Sequence, residues 1–219
     1  MSDARPGELV AVVLAAGLAR RMGSPKQLAD LGGRPLLEHA LAALAEAREA
    51  GAVDRVVVAL GAAAGDVIAR VPLHGAEPLV TDRWAEGMGA VLAEAARAVS
   101  GCAAVVVALG DQPMVTAAVV AALAGAWRAG AGPVVSAAYG GRPGNPKLFD
   151  AALLGELAGL GGDTGARELL AAHPGWVTLV ETGALGSDLD VDDLAGLEAA
   201  RAALPADHPT TPAQTRSTP

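Results

Sequence analysis

Short apolar runs bounded by glycine, proline or charge alternate along this chain with segments whose leucines and alanines recur at helical spacing. Leu9 to Leu14 is the first run, and Arg55 to Leu60, Pro78 to Thr81, Ala103 to Leu109, Pro133 to Ala138 and Trp176 to Glu181 follow, each of strand length. Between the first two, Pro35 opens a predicted helix with Leu36, Leu37, Leu41 and Leu44 at helical spacing, and Gly51 stops it. Further helices are predicted from Gly61 to Arg70, from Gly87 to Val99, from a Thr116 cap to about Gly130, after Asp150, behind an Asp163-Thr164 cap, and from the Ser187 to Asp190 segment to near Leu204. Tyr139 to Pro146 reads as an irregular glycine-rich loop. Uninterrupted apolar strands alternating with helices predict a single α/β domain, Rossmann-like, with a mostly parallel sheet and helices on both faces. The pattern fades at both ends, so residues 1–7 are expected to be a flexible N-terminus, 8–204 the domain and 205–219 a disordered tail.

Composition narrows the function. The chain has 219 residues, a net charge of −8, three tryptophans, one tyrosine and one phenylalanine, which leaves neither the basic footprint nor the stacking surface of a nucleic-acid binder. Its apolar runs are far shorter than the roughly 20 residues a membrane helix needs, so no membrane partner is expected. A signal-peptide reading of Val10 to Ala19 is opposed by Asp3 and Glu8 ahead of it and by Arg20 and Arg21 behind it. The one cysteine, Cys102, precedes an apolar run and is expected to be a buried thiol in a reducing, cytoplasmic setting.

The chemistry concentrates where the first run ends. Beyond Leu14, Ala15 and Ala16 come Gly17 and Gly23, which let the backbone approach a ligand, and Arg20, Arg21 and Lys26, which add positive charge. This suits a polyphosphate. Five residues separate Gly17 from Gly23 and Lys26 comes three later, so the spacing is not that of a Walker loop, and no dinucleotide glycine fingerprint follows the strand. Asp111 stands just past the apolar run that ends at Leu109, and Asp190 follows another apolar segment; a parallel sheet would bring such ends to one edge, where two carboxylates would share a Mg²⁺ once a nucleotide supplies phosphate oxygens. The structural alternatives are that Asp111 closes a turn and Asp190 caps the last helix. Arg142, Lys147 and Arg167 would contact an anionic second substrate and Asn145 a polar edge. His39 reads as a packed or surface helix residue rather than a catalytic one, and the scattered histidines give neither a catalytic triad nor a zinc spacing.

Leu14-Ala15-Ala16-Gly17-Leu18-Ala19-Arg20-Arg21-Met22-Gly23 with Lys26, followed by Gly33-Arg34-Pro35-Leu36-Leu37-Glu38-His39, resembles the signature loop and following helix of molybdopterin nucleotidyltransferases, within a superfamily of glycosyltransferase-A-type nucleotide-binding fold. Trp84-Ala85-Glu86-Gly87-Met88, Leu109-Gly110-Asp111-Gln112-Pro113, Gly141-Arg142-Pro143-Gly144-Asn145-Pro146, Gly162-Asp163-Thr164-Gly165-Ala166-Arg167 and Asp188-Leu189-Asp190 resemble, in the same order, the molybdenum cofactor cytidylyltransferase branch. The resemblance implies that Arg21 and Lys26 bind the triphosphate, that Asp111 and Asp190 hold Mg²⁺, and that backbone from Leu14 and Ala15 through Ala16 to Gly17 receives the nucleotide base. It further implies CTP as the favoured nucleoside triphosphate, a molybdopterin-type phosphate acceptor, pyrophosphate as leaving group and a molybdoenzyme client. The chain departs from the family at Ala19 and Val91, where serine is usual, and at Val191-Asp192-Asp193, where a Thr-Pro-Glu-type run is usual. GTP-using guanylyltransferases and sugar-phosphate nucleotidyltransferases share the loop and stand as alternatives, as does a carrier that holds molybdenum cofactor without turnover.

Overall fold

Strand β1 (Leu9–Ala15) runs through the sheet with a parallel neighbour on each side, β4 (Arg55–Leu60) and β6 (Ala104–Leu109). The computed structural model describes residues 7–17 and 25–204. A small antiparallel hairpin, β2 (Asp30–Leu31) and β3 (Arg34–Pro35), precedes helix α1 (Leu36–Glu49), so the helix begins one residue after the proline expected to open it. Then come α2 (Ala64–Arg70), β5 (Glu77–Val80), α3 (Met88–Ala98), α4 (Ala117–Arg128), β7 (Val134–Tyr139), β8 (Arg142–Asp150), α5 (Leu154–Ala158), α6 (Arg167–Ala172), β9 (Val177–Glu181) and α7 (Leu194–Ala203). The seven-stranded sheet has the order β5-β4-β1-β6-β8-β7-β9, and β8 alone in it runs against its neighbours. The expected single α/β domain with a mostly parallel sheet is therefore observed.

Both faces of β1 are covered, which explains its unbroken apolar sequence. Leu9, Ala11, Val13 and Ala15 pack with Leu37, Leu41 and Leu44 of α1, Val67 of α2 and Leu123 of α4. Val10 and Val12 point the other way, against Leu92, Ala95 and Ala96 of α3 and Leu157 of α5. A smaller cluster of Leu31, Leu36, Val191, Leu197 and Ala200 fastens α7 over the β2-β3 hairpin. Cys102 is buried and free, and the His39 ring is buried with Nε2 2.9 Å from the Leu31 carbonyl, so of the packed and surface roles open to it the packed one is observed.

Three local expectations change. Residues 142–146, read as loop, belong to the long strand β8: only Gly140 and Gly141, with φ of 61° and 75°, make the turn that reverses the chain after β7. Asp163-Thr164 does not cap α6, whose N-cap is Ala166 with no side-chain hydrogen bond. Asp190 does not cap α7 either; Asp193 does, accepting from the Gly196 amide at 2.9 Å. Thr116 caps α4, accepting from the Val119 amide, and Asp150 caps the turn leading to α5, accepting from the Ala152 amide at 3.0 Å. None of the described helices is long and apolar enough to cross a membrane. Residues 1–6 and the 205–219 tail lie outside the described residues.

Candidate active site

The C-terminal ends of β1 and β6 lie side by side and open into a cleft, as parallel sheets arrange their ligand sites. Gly110 makes the junction close: its amide donates to the Leu14 carbonyl at 3.0 Å, and a Cβ there would come within 2.8 Å of Leu37 and 3.0 Å of Ala15. Gln27, a residue that sequence reasoning missed, ties off the end of β1. It is 4% exposed, and its Nε2 donates to the carbonyls of Ala15 (2.7 Å) and Gly17 (3.1 Å), holding both ends of the turn toward the basic loop.

Two cavities meet at this edge. The smaller, about 450 Å³, is lined by Leu14, Ala15, Ala16, Gly17, Lys26 and Asp111 among others, so six of the residues expected to bind nucleotide are together in it. Ala16, Ala59 and Val91 are buried together at one end with Trp84 beside them. The larger, about 860 Å³, takes in Asn145, Lys147 and Arg167 along with Asp188 and Asp190. Leu14, Met88, Leu109, Asp111 and Asp192 line both. Arg142 lines neither; it is exposed at the tip of the β7-β8 turn, opposite Tyr139. Arg21 lies outside the described residues.

Lys26 lines the smaller cavity, beside two aspartates that line both. Its Nζ is 2.5 Å from Asp111 Oδ2 and 3.0 Å from Asp192 Oδ1. Burial works to lower its pKa, but the attraction and hydrogen bond of Asp111, reinforced by Asp192, outweigh it and hold the ammonium above its ordinary value. Asp190 is brought to the same place because the Val191 amide donates to the Asp111 carbonyl at 3.0 Å. Its carboxylate accepts from Gln112 Nε2 at 2.8 Å. Burial raises the Asp190 pKa, the Gln112 bond opposes this, and the nearby charges of Asp111, Asp192 and Asp188 push it further up.

This donor set fits a hard divalent cation. Its oxygens are all carboxylate, and Asp111 Oδ1 is buried without a hydrogen-bond partner among the described residues. No group of three or more His, Cys, Asp or Glu side chains among the described residues is arranged to hold a metal ion.

The two remaining glycine motifs form one wall. The Gly89 amide donates to the Gly162 carbonyl at 2.7 Å, and a Cβ on Gly87, whose φ is 113°, would come within 2.3 Å of Asp163 Oδ1. Residues 87–89 and 161–162 therefore dock backbone to backbone beside the smaller cavity.

Residues 11–176 match the family of the MobA-like NTP transferase domain. Nicotine blue oxidoreductase of Paenarthrobacter nicotinovorans is 35% identical over 190 residues, covering 83% of this chain and 90% of that protein. A homologue of Mycobacterium tuberculosis Rv0371c from Mycobacterium sp. strain JC1 has a similar structure, with a TM-score of 0.76 and 33% identity over 89% of this chain and 95% of that one. The manganese complex of Rv0371c itself, from Mycobacterium tuberculosis H37Rv, gives a TM-score of 0.72 and 30% identity over 90% and 99% of the two chains.

Proposed function

This chain belongs to the MobA-like NTP transferase family and is a nucleotidyltransferase; we propose that it transfers CMP from CTP to the phosphate of a molybdopterin-type acceptor, releasing pyrophosphate. The observation that carries this is the contact between Lys26, which lines a nucleotide-sized cavity, and Asp111, which lines both that cavity and a larger one. In this reading the triphosphate lies in the smaller cavity with its α-phosphate at the boundary, and the acceptor phosphate approaches from the larger. The attacking oxygen is already an anion, so no general base is required; the barrier is the approach of two anions in line.

Lys26 offsets that repulsion, and Arg21 would join it on the triphosphate. Asp111 and Asp190 would hold Mg²⁺, which when bound neutralises phosphate charge; the manganese in the Rv0371c complex supports a divalent ion. Ala16 and Val91 wall the smaller cavity with buried apolar side chains, supporting a compact pyrimidine. A difference of one methyl at such a wall is worth about 1–3 kcal/mol, so GTP is the principal rival. Asn145, Lys147 and Arg167 would contact the acceptor, with a molybdoenzyme as client for the product.

The test is pyrophosphate release from purified protein with Mg²⁺ and molybdenum cofactor, comparing CTP, GTP, ATP and UTP. Release dependent on acceptor and strongest with CTP is expected. Turnover only with a sugar phosphate as acceptor would shift the assignment to that alternative, and cofactor binding without release under any nucleotide would make the protein a carrier. The name of the Paenarthrobacter relative motivates a second reading, an oxidoreductase activity in the same cleft. Oxidation of NADH or NADPH with no pyrophosphate release from any triphosphate would favour it.

A further inference from the structure

Lys147 is an unusual residue for the interior of a strand flanked on both sides. It lies on β8 opposite Val107 and Ser136, and its side chain enters the larger cavity, whose walls there include Leu92, Val107, Phe149, Val177 and Leu179. Its ammonium meets no carboxylate at ion-pair distance among the described residues. It donates instead to the Gly144 carbonyl at 2.6 Å and Asn145 Oδ1 at 2.9 Å, both neutral. The second cation of this cavity, Arg167 at the start of α6, lies at its exposed rim, and its guanidinium has no hydrogen-bond or ion-pair partner among the described residues.

Holding a partly buried cation against apolar walls with no carboxylate in contact, and only a more distant attraction from Asp188, is unfavourable, and a second cation facing the same space adds repulsion. A ligand carrying negative charge reverses both costs. Lys147 and Arg167 line the larger cavity and not the smaller, whereas Lys26 lines the smaller and not the larger, and Asp111, which it contacts, lines both. The group that balances the cation pair is therefore separate from the one that attacks.

We propose that Lys147 and Arg167 anchor a second anionic group of the acceptor, apart from the attacking phosphate, so that the larger cavity selects an acceptor with an apolar body bearing an oxyanion at this end. The proposal rests on the reading of the larger cavity as the acceptor site. Burial, with Arg167 repulsion added and only Asp188 attraction opposing, lowers the Lys147 pKa to about 8, so the anchor weakens as the amine loses its proton above that pH. The other ionisable groups around it are Asp111 at the end of β6, Asp190 and Asp192 on the segment that carries Asp188, and Tyr139 of β7, whose hydroxyl donates to the Asn145 carbonyl at 2.8 Å.

Calorimetric titration of the whole protein with phenylphosphonate, benzoate and benzyl alcohol tests the anchor. Both anions are expected to bind at least about tenfold more tightly than the neutral alcohol, a difference of about 1.4 kcal/mol. Tighter binding of phenylphosphonate assigns a phosphoryl group to the anchor, and tighter binding of benzoate a carboxylate. Lys147→Met and Arg167→Gln should each weaken anion binding by a similar factor. Lys147→Arg should retain it and abolish the decline in affinity that the native protein shows above about pH 8, because arginine stays protonated. Benzyl alcohol binding as well as the anions, or unchanged anion affinity in Lys147→Met, overturns the anchor. Mg-CTP binding to the native protein is measured alongside: a protein that binds CTP but not the anions loses the anchor alone, whereas one that fails to bind CTP undermines the nucleotidyltransfer reading.

Discussion

Replacing Lys26 by methionine should strengthen metal binding while it weakens catalysis, because the same ammonium occupies Asp111 in the free protein and, in the proposed reading, serves the phosphates in the complex. The Lys26 and Asp111 side chains are 17% and 21% exposed and 2.5 Å apart, so their attraction is only partly screened. Unit charges about 4 Å apart attract by about 4 kcal/mol at an effective dielectric constant of about 20. Residual exposure reduces this to about 2 kcal/mol, a factor of about 30 in affinity, for the competition that a cation must overcome at Asp111. Lys26→Met should therefore bind Mn²⁺ up to about 30-fold more tightly without nucleotide, measured by calorimetry or water-proton relaxation. Its pyrophosphate release should fall by about 10²–10³, the usual loss when one charge-stabilising contact is removed. Unchanged Mn²⁺ affinity would refute the competition, and native turnover would refute the role of Lys26 itself.

Asp192→Asn removes an exposed partner of Lys26, 62% accessible, so thermal stability should barely move and kcat should drop by no more than about fivefold, in line with the modest worth of exposed ion pairs. Gly89→Ala places a Cβ 2.4 Å from the Gly161 carbonyl oxygen, where backbone must shift; chemical denaturation should show a loss of about 1–3 kcal/mol. Lys147 gives stability a pH dependence of defined sign. Its folded pKa of about 8 lies below its ordinary 10.5, so between these values the unfolded chain holds a proton that the folded one has released, and stability rises with pH. In denaturant titrations across this window, native protein should gain stability relative to Lys147→Met, and parallel profiles would contradict the depressed pKa.

The parallel part of the sheet was legible because β1, β4 and β6 are apolar on both faces, a signature that few other elements share. Strand β8 was not, because Pro143 and Pro146 forbid a regular central strand. The structure accommodates them with an irregularity. Ser136 pairs with Lys147 but Ala138 pairs with Pro143, so residues 144–146 bulge opposite Ala137, and pairing with β6 extends only as far as Lys147. Pro146 thus needs no ladder donor on either side. The loop chemistry was similarly half visible: the glycine motifs at 84–88 and 162–167 could be named separately, but their contact depends on a fold-level approach between Gly89, just past the first motif, and Gly162 that no local pattern encodes.

Asp192 is the instructive omission, because a local pattern did encode it. From Asp188 to Asp192 the sequence alternates acid and apolar residues, and an extended chain sends alternate side chains to opposite sides. In the structure Leu189 and Val191 pack with Leu31 and Leu36 under α7, while Asp188, Asp190 and Asp192 all line the larger cavity. The Val191 to Asp111 backbone bond then fixes where along the edge that acidic row falls. With Asp193 capping α7, Asp190 is released from the capping role that rivalled its place in the site. The departure from the usual Thr-Pro-Glu-type run is therefore better understood as a changed site than as a missing one: where that run has a proline, this chain has a second carboxylate that reaches Lys26 beside Asp111. If that is its role, Asp192→Glu should restore kcat toward the native value where Asp192→Asn does not, since the longer acid still reaches the ammonium from the same extended backbone.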